Sequence, residues 1–101
     1  MDISLSTTDI SVNVKITGSI TESNERQLRQ EFDMIVARPG KEVILDLKFV
    51  PSISSTGISF LVILRRKLKE QNRELIIDGL HKNLASAFAY MSLDKLFTIK
   101  P

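Results

Sequence analysis

Hydrophobic and polar residues alternate along the first part of the chain. The segment Ile10–Thr17 alternates throughout, and a shorter run at residues 3–6 does the same. Thr7-Thr8-Asp9 between the two runs is typical of a turn. The pattern therefore predicts a β-hairpin whose second strand is covered on one side only. The residues expected on the covered face are Ile10, Val12, Val14 and Ile16.

Helical spacing replaces this alternation after Gly18. Thr21 or Ser23 is suited to cap the helix, and Pro39-Gly40 marks its end. We expect an amphipathic helix that packs one face on the sheet. Its apolar face is formed by Leu28, Phe32, Ile35 and Val36.

The next segment, Val43–Leu47, is apolar and β-branched and lies between Pro39-Gly40 and Pro51. Such a run is typical of a strand covered on both faces. The apolar run that starts at Gly57 is too long for a strand and has helical spacing. The helix that it predicts carries one apolar stripe, formed by Ile58, Leu61, Leu64 and Leu68.

Three further elements complete the chain. Residues 75–77 predict a central strand beside Leu45, and a helix follows from about Lys82 with Leu84, Phe88 and Met91 on one face. Residues 96–99 predict a last strand at the sheet edge. The order ββαβαβαβ indicates a single α/β domain over residues 1–101. We expect a small mixed sheet, with an N-terminal hairpin and later strands parallel, packed with about three to four helices.

Composition narrows the possible functions. The chain has 101 residues, 26% charged and 43% hydrophobic, as in ordinary globular proteins. A formal charge of +2 gives no reason to expect nucleic acid as a partner. The absence of cysteine excludes a disulfide, and a single histidine without cysteine gives no metal site. There is no Gly-x-Gly-x-x-Gly motif or phosphate loop, so no cofactor is expected. No apolar run reaches the roughly 20 residues of a membrane span and no signal peptide is visible, so we expect a cytoplasmic protein without membrane insertion.

Hydroxyl residues crowd the joint between the predicted buried strand and the long helix. Ser54, Ser55 and Thr56 are good N-cap residues, and Gly57 lets the backbone turn tightly there. Capping alone would explain these residues. However, the positive end of the helix dipole also tolerates an added phosphate, which makes the joint a candidate modification site.

Two other features are candidate functional signals. Ile63 lies away from the apolar stripe of its helix, so it is either an exposed residue on a docking face or evidence that the helix is buried on a second side. A Ser55/His81/Asp46 triad can be drawn, but the chain has no Gly-x-Ser-x-Gly motif, and His81 is better placed as a helix cap. We therefore do not expect an enzyme.

Several motifs together resemble the STAS domain, and more narrowly the free-standing anti-sigma-factor antagonists of bacterial partner-switching pathways. The resemblance covers nearly the whole chain. It is carried by Val43–Leu47, Ile53-Ser54-Ser55-Thr56-Gly57-Ile58, Leu75–Leu80, Met91–Phe97 and the loop Gly18-Ser19-Ile20-Thr21. Two positions depart from the family pattern, because Ser54 and Thr21 stand where the family has aspartate.

The resemblance implies a phosphorylation switch. It identifies Ser55 as the modified residue, with Thr56 and Ser54 as less favoured alternatives. It implies a GHKL-type serine kinase, which is also the anti-sigma factor, and a PP2C-type phosphatase as partners. The kinase would bind the unphosphorylated protein and release the phosphorylated one. The residues expected to contact it are Thr21, Glu22, Ser54, Ser55, Thr56, Gly57, Ser59 and Ile63.

Two other functions fit the same family. One is a STAS subunit of a membrane transporter or lipid-transport ATPase complex, and the other is a constitutive scaffold in large stress-sensing assemblies. For the switch function we expect a monomer, because the docking face must be free.

Overall fold

A computed structural model describes residues 1–100. The five strands are β1 (Asp2–Thr7), β2 (Ser11–Thr17), β3 (Glu42–Phe49), β4 (Glu74–Leu80) and β5 (Thr98–Lys100). The helices are α1 (Glu25–Ala37), α2 (Ser55–Glu70) and α3 (Lys82–Tyr90). Two 3-10 turns, Glu22–Asn24 and Leu93–Lys95, lie between these elements. The predicted order ββαβαβαβ is confirmed.

The strands form one sheet in the order β1-β2-β3-β4-β5. β1 pairs antiparallel with β2, and all other pairs are parallel. Leu45 is paired with Ile77, as the sequence predicted. Because β2 and β3 are parallel, the loops that follow them emerge at the same end of the sheet.

The hydrophobic core lies between one face of this sheet and the three helices. The rings of Phe88 and Phe97 close it near β5, with their centroids 6.1 Å apart. Within residues 1–100, no helix is both long enough and apolar enough to cross a bilayer. The main core residues from the strands are Val12, Val14, Ile16, Val43, Leu45, Leu47, Leu75 and Ile77, and those from the helices are Leu28, Phe32, Ile35, Leu61, Leu64, Leu68, Leu84 and Phe88.

The prediction that β3 is covered on both faces was wrong. Its burial alternates, with Val43, Leu45 and Leu47 buried and Ile44 only half-buried. β3 places two apolar residues on the second face, Ile44 and Phe49, which pairs with Thr17 after a register shift and is 50% exposed beneath the Lys15 side chain. Asp46 lies between them, so that face offers no continuous apolar surface for a helix to cover. It instead lines a shallow depression of about 390 Å³, together with polar residues that include Ser4, Ser6, Asn13, Lys15, Asp46 and Asp78.

Two apolar residues assigned to covered faces are also exposed. Ile10 is 62% exposed because β2 begins one residue later, at Ser11. Met91 is 43% exposed because α3 ends at Tyr90. Both errors fall at element ends, where tertiary contacts set the boundary.

At the amino end of β4, the Arg73 side chain closes the carboxyl end of α1. Its guanidinium donates hydrogen bonds to the carbonyl oxygens of Val36 (3.2 Å) and Ile35 (3.4 Å), and its Nε donates to that of Gly40. The last carbonyls of a helix have no partner within the helix, and a cation suits them. Burial lowers the pKa of the Arg73 guanidinium, which nevertheless stays charged at neutral pH.

Candidate functional site

Two loops join at the carboxyl ends of β2 and β3. Ile20 and Ile53 form a parallel bridge between them. The Ile20 amide donates to the Ser52 carbonyl oxygen (3.0 Å), and the Ser54 amide donates to the Ile20 carbonyl oxygen (2.9 Å). Segments more than 30 residues apart in the chain therefore form one continuous surface, held by the backbone.

Gly57 allows the first turn of α2 to pack directly against this bridge. A Cβ atom at Gly57 would lie 2.8 Å from Cγ1 of Ile53 and 2.9 Å from Cγ2 of Ile20, which is too close for either. Gly57 is itself buried and lies inside the helix. The sequence predicts a tight turn at this glycine, whereas the structure shows that close packing is what requires it.

Ser54 is the N-cap of α2, and both hydrogen-bonding functions of its hydroxyl are in use. Its Oγ accepts the Gly57 amide at 3.1 Å and donates to Oε2 of Glu25 at 2.7 Å. Glu25 is the first residue of α1, so this hydrogen bond ties together the amino ends of the two helices. It also places a half-buried carboxylate beside the hydroxyl-rich joint.

Glu25 was not found by sequence reasoning. It lies 29 residues from Ser54, and no local pattern predicts that contact. An acidic residue in the first turn of a helix is ordinarily read as a partner of the helix dipole.

Ser55 and Thr56 differ from Ser54 in that their side chains are exposed. Within residues 1–100 neither hydroxyl makes a hydrogen bond, although the Ser55 carbonyl oxygen accepts one from Ser59 Oγ at 3.2 Å. Both residues belong to the first turn of α2, where backbone amides lack partners inside the helix. The joint therefore offers two free hydroxyls at the positive end of a helix.

The loop after β2 is held by its own side chains. The Thr21 amide donates to Oδ1 of Asn24 (2.8 Å), and Nδ2 of Asn24 donates to the Ser19 carbonyl oxygen (3.1 Å). The Ser52 hydroxyl also donates to that of Ser19 (2.9 Å), which links the two loops a second time.

The helix cap predicted in this loop is confirmed only in part. α1 itself begins at Glu25 with Asn24 as its N-cap residue. Thr21 is the N-cap residue of the 3-10 turn Glu22–Asn24, which leads directly into α1. Ser23 lies within that turn, and its Oγ is 2.8 Å from Oγ1 of Thr21. Thr21 and Glu22 are exposed on the surface of the loop.

A groove runs between α1 and α2 on the helical side of the molecule. It has a volume of about 310 Å³, with Phe60 and Ile63 as its apolar part. Ile63 is half-buried there, which falls between the two possibilities raised by the sequence. The charged residues of the groove are Arg29, Asp33 and Lys67, with Nζ of Lys67 4.0 Å from Oδ1 of Asp33.

The other members of the triad considered above have separate roles. His81 is the N-cap of α3, and its Nδ1 accepts the Asn83 amide at 3.1 Å. Asp46 lies on the open face of the sheet, 3.5 Å from Nζ of Lys48. In residues 1–100 neither side chain forms a hydrogen bond with Ser55.

The fold and the site together define a class: a single α/β domain that presents free hydroxyls where two loops meet at the amino end of a helix. The chain belongs to the STAS domain family, whose model matches residues 3–101. The family assignment made from the sequence is therefore confirmed.

Solved structures show the same fold. An anti-sigma factor antagonist from Mycobacterium paratuberculosis has a TM-score of 0.82 and 24% identity, over 99% of this chain and 85% of that one. The Bacillus cell-fate determinant SpoIIAA, in its phosphorylated form, has a TM-score of 0.75 and 14% identity, over 99% and 92%. A sulfate transporter family protein from Wolinella succinogenes has a TM-score of 0.68 and 20% identity, over 86% and 74%.

Proposed function

We propose that this protein is a phosphorylation-controlled antagonist in a bacterial partner-switching pathway. In its unmodified form it binds a switch kinase that also acts as an anti-sigma factor, and phosphorylation of Ser55 releases it. The observation that carries the proposal is the exposed Ser55 hydroxyl, free of hydrogen bonds, on a surface built from two loops. The similarity to an antagonist and to a protein known in a phosphorylated form supports it.

The three neighbouring hydroxyls are not equivalent as phosphate acceptors. Phosphorylation of Ser54 would break its hydrogen bonds to Gly57 and Glu25, so that residue is a poor candidate. Ser55 and Thr56 are both exposed and free. The position of Ser55 in the family motif favours Ser55 over Thr56.

The helix end explains how the fold would survive modification. A phosphate adds about −1.5 to −2 charge and three acceptor oxygens. At Ser55 it would lie in the first turn of α2, where unpartnered amides and the helix dipole favour an anion. We therefore expect phosphorylation to change binding far more than folding.

A docked partner would meet a different electrostatic surface after modification. Before it, the site carries the Glu25 carboxylate close to the joint and the exposed Glu22 on the neighbouring loop. We propose that the partner packs directly on the free Ser55 hydroxyl, with no cation placed to receive a phosphate, and covers the neighbouring Ser59 and the groove at Ile63. If burying the phosphate costs about 2–4 kcal/mol, affinity falls roughly 30- to 1000-fold.

The switch requires two enzymes. The family resemblance points to a GHKL-type kinase and to a PP2C-type phosphatase that restores the free hydroxyl, and we propose that they act on this protein in the cytoplasm.

The test begins with the intact mass of the protein taken from its own cells. We expect a subpopulation heavier by one phosphate that disappears in Ser55→Ala and persists in Thr56→Ala, the matched control. Purified kinase should bind the wild type and Ser55→Ala alike, and Ser55→Glu at least 10-fold more weakly. A mass shift lost only in Thr56→Ala would assign the phosphate to Thr56 instead of Ser55. A single unmodified species under all growth conditions would refute the phosphorylation switch.

A transporter subunit is the second candidate, favoured by the match to the sulfate transporter family protein. In that case the chain would co-purify with a transport protein, and Ser55→Glu would not alter the association. A constitutive scaffold would instead elute as a large particle in size-exclusion chromatography.

A further inference from the structure

The two edges of the sheet differ in how well they are protected. β5 has only three residues and includes Lys100. Short length, lysine and proline are common devices that prevent an edge strand from pairing with another chain. β1 has six residues, contains neither lysine nor proline, and pairs with β2 without a bulge. Its outer edge therefore lacks the protection seen at β5.

The side chains of β1 also suit further pairing. Ile3 and Leu5 are half-buried against the core and line one face, with the rest of their apolar surface in solvent. Ser4 and Ser6 are exposed on the opposite face. The only charged residue of the strand is Asp2, at its first position.

We propose that β1 pairs antiparallel with β1 of a second copy of this chain. The proposed register places Ser4 opposite Ser4 of the second copy, at the two-fold axis. Ile3 then lies opposite Leu5, and Asp2 lies opposite Ser6. This alignment joins apolar to apolar side chains on the core face and separates the two acidic residues.

Parity and charge single out this register. Directly opposed residues in an antiparallel pair point to the same side of the sheet. The two hydrophobic cores therefore lie on one side only if the numbers of each opposed pair of β1 residues sum to an even value. Shifting the sum from eight to ten would place Ile3 opposite Thr7 and lose an apolar contact. A sum of six keeps the apolar contacts, with Ile3 opposite Ile3 and Leu5 opposite Met1, but brings the two Asp2 carboxylates to diagonal positions on one face, where like charges repel. The proposed pairing forms roughly four to six main-chain hydrogen bonds and a continuous ten-stranded sheet.

The dimer leaves both candidate sites accessible. β1 is antiparallel to β2, so the start of β1 lies at the same end of the sheet as the loop after β2. In an antiparallel dimer the two sites therefore face opposite ends of the assembly. The sequence-based expectation of a monomer rested on a free docking face, and this arrangement keeps that face free. One edge buries little surface, so we expect a reversible dimer of micromolar affinity.

The test is sedimentation velocity from micromolar to near-millimolar concentration. Ser4→Lys and Ser4→Asp each place like charges face to face at the two-fold axis, and each should weaken dimerisation by about 10-fold or more. Mixing the two variants in equal amounts should restore a heterodimer. Ser4 is exposed, so circular dichroism should show both variants folded.

Two control variants test which residues of β1 lie opposite each other and whether β1, and not β5, forms the interface. Ser6→Lys places a lysine opposite Asp2 of the second copy and should preserve or tighten the dimer. Thr98→Lys, on β5, should leave the association constant unchanged.

A wild-type protein that stays monomeric at all concentrations would overturn the proposal. So would a mixture that fails to restore the dimer, or dissociation caused by Thr98→Lys. Ser55→Glu should not affect dimerisation, so the outcome is independent of the proposed phosphorylation switch.

Discussion

Helix ends at the two ends of the parallel strands have backbone groups that lack partners within the helix, and these groups are satisfied differently at each end. At one end, the carbonyl oxygens that close α1 accept hydrogen bonds from the Arg73 guanidinium. At the other, the amides that open α2 receive only the small hydroxyl of Ser54. The first end engages the carbonyls with a partly buried cation, whereas the second leaves Ser55 and Thr56 free. The comparison indicates that the first end contributes to stability and the second is available for function.

Replacement of Arg73 should give the largest loss of stability. Arg73→Met removes hydrogen bonds to Ile35, Val36 and Gly40, and we expect the free energy of unfolding to fall by about 2–4 kcal/mol in urea titrations. Arg73→Lys keeps the positive charge but loses the planar guanidinium fork. Its free energy of unfolding should therefore lie between those of the wild type and Arg73→Met. Unchanged stability in Arg73→Met would show that water replaces the guanidinium at no cost.

Gly57→Ala should have the next largest effect. Alanine favours helix by about 1 kcal/mol over glycine, but its methyl group would collide with Ile53 and Ile20. We expect a net loss of about 1–3 kcal/mol in the free energy of unfolding, together with weaker binding of the proposed kinase partner because the two loops must separate. Ser59→Ala, on the exposed side of the same helix, is the control for stability and should leave the free energy of unfolding nearly unchanged. If Gly57→Ala were stabilising, the close packing at this point would be disproved.

Ser54→Ala should cost about 1 kcal/mol, since it removes both the cap of α2 and the hydrogen bond to Glu25. A double-mutant cycle with Glu25→Ala separates the two contributions. We expect a coupling energy of roughly 0.5–1 kcal/mol between these residues. Strict additivity would mean that the link between the two helices contributes nothing.

Ser55→Ala and Thr56→Ala should change stability least, by no more than about 0.5 kcal/mol, because both side chains are exposed and neither hydroxyl has a hydrogen-bond partner among residues 1–100. Chemical denaturation measures this directly. The Ser55 variant nevertheless should lose phosphorylation. A large destabilisation by either substitution would place these hydroxyls among the structural groups of the helix end.

Much of the fold could be predicted because it depends on local periodicity. The order of elements and the pairing of Leu45 with Ile77 follow from runs of apolar residues with a clear period. The open second face of β3 could not be predicted, because Ile44 gives the segment the appearance of a strand covered on both sides. Which faces the helices cover is decided by the whole fold rather than by any one strand.

The site was predictable only in part. Ser54, Ser55 and Thr56 were placed correctly at the start of a helix because capping chemistry is local. The contact of Ser54 with Glu25 and the packing of Gly57 on Ile20 bring together residues distant in sequence, and no single stretch contains that information.

The backbone bridge between Ile20 and Ile53 has a consequence for divergence among duplicated genes. The shape of the proposed docking surface depends on that bridge and on Gly57, whereas the exposed hydroxyls beside it are expected to contribute little to folding. Substitutions at the exposed positions can therefore accumulate without a fitness cost from misfolding. Paralogues can in this way acquire insulated signalling pairs within one cell while keeping the same scaffold.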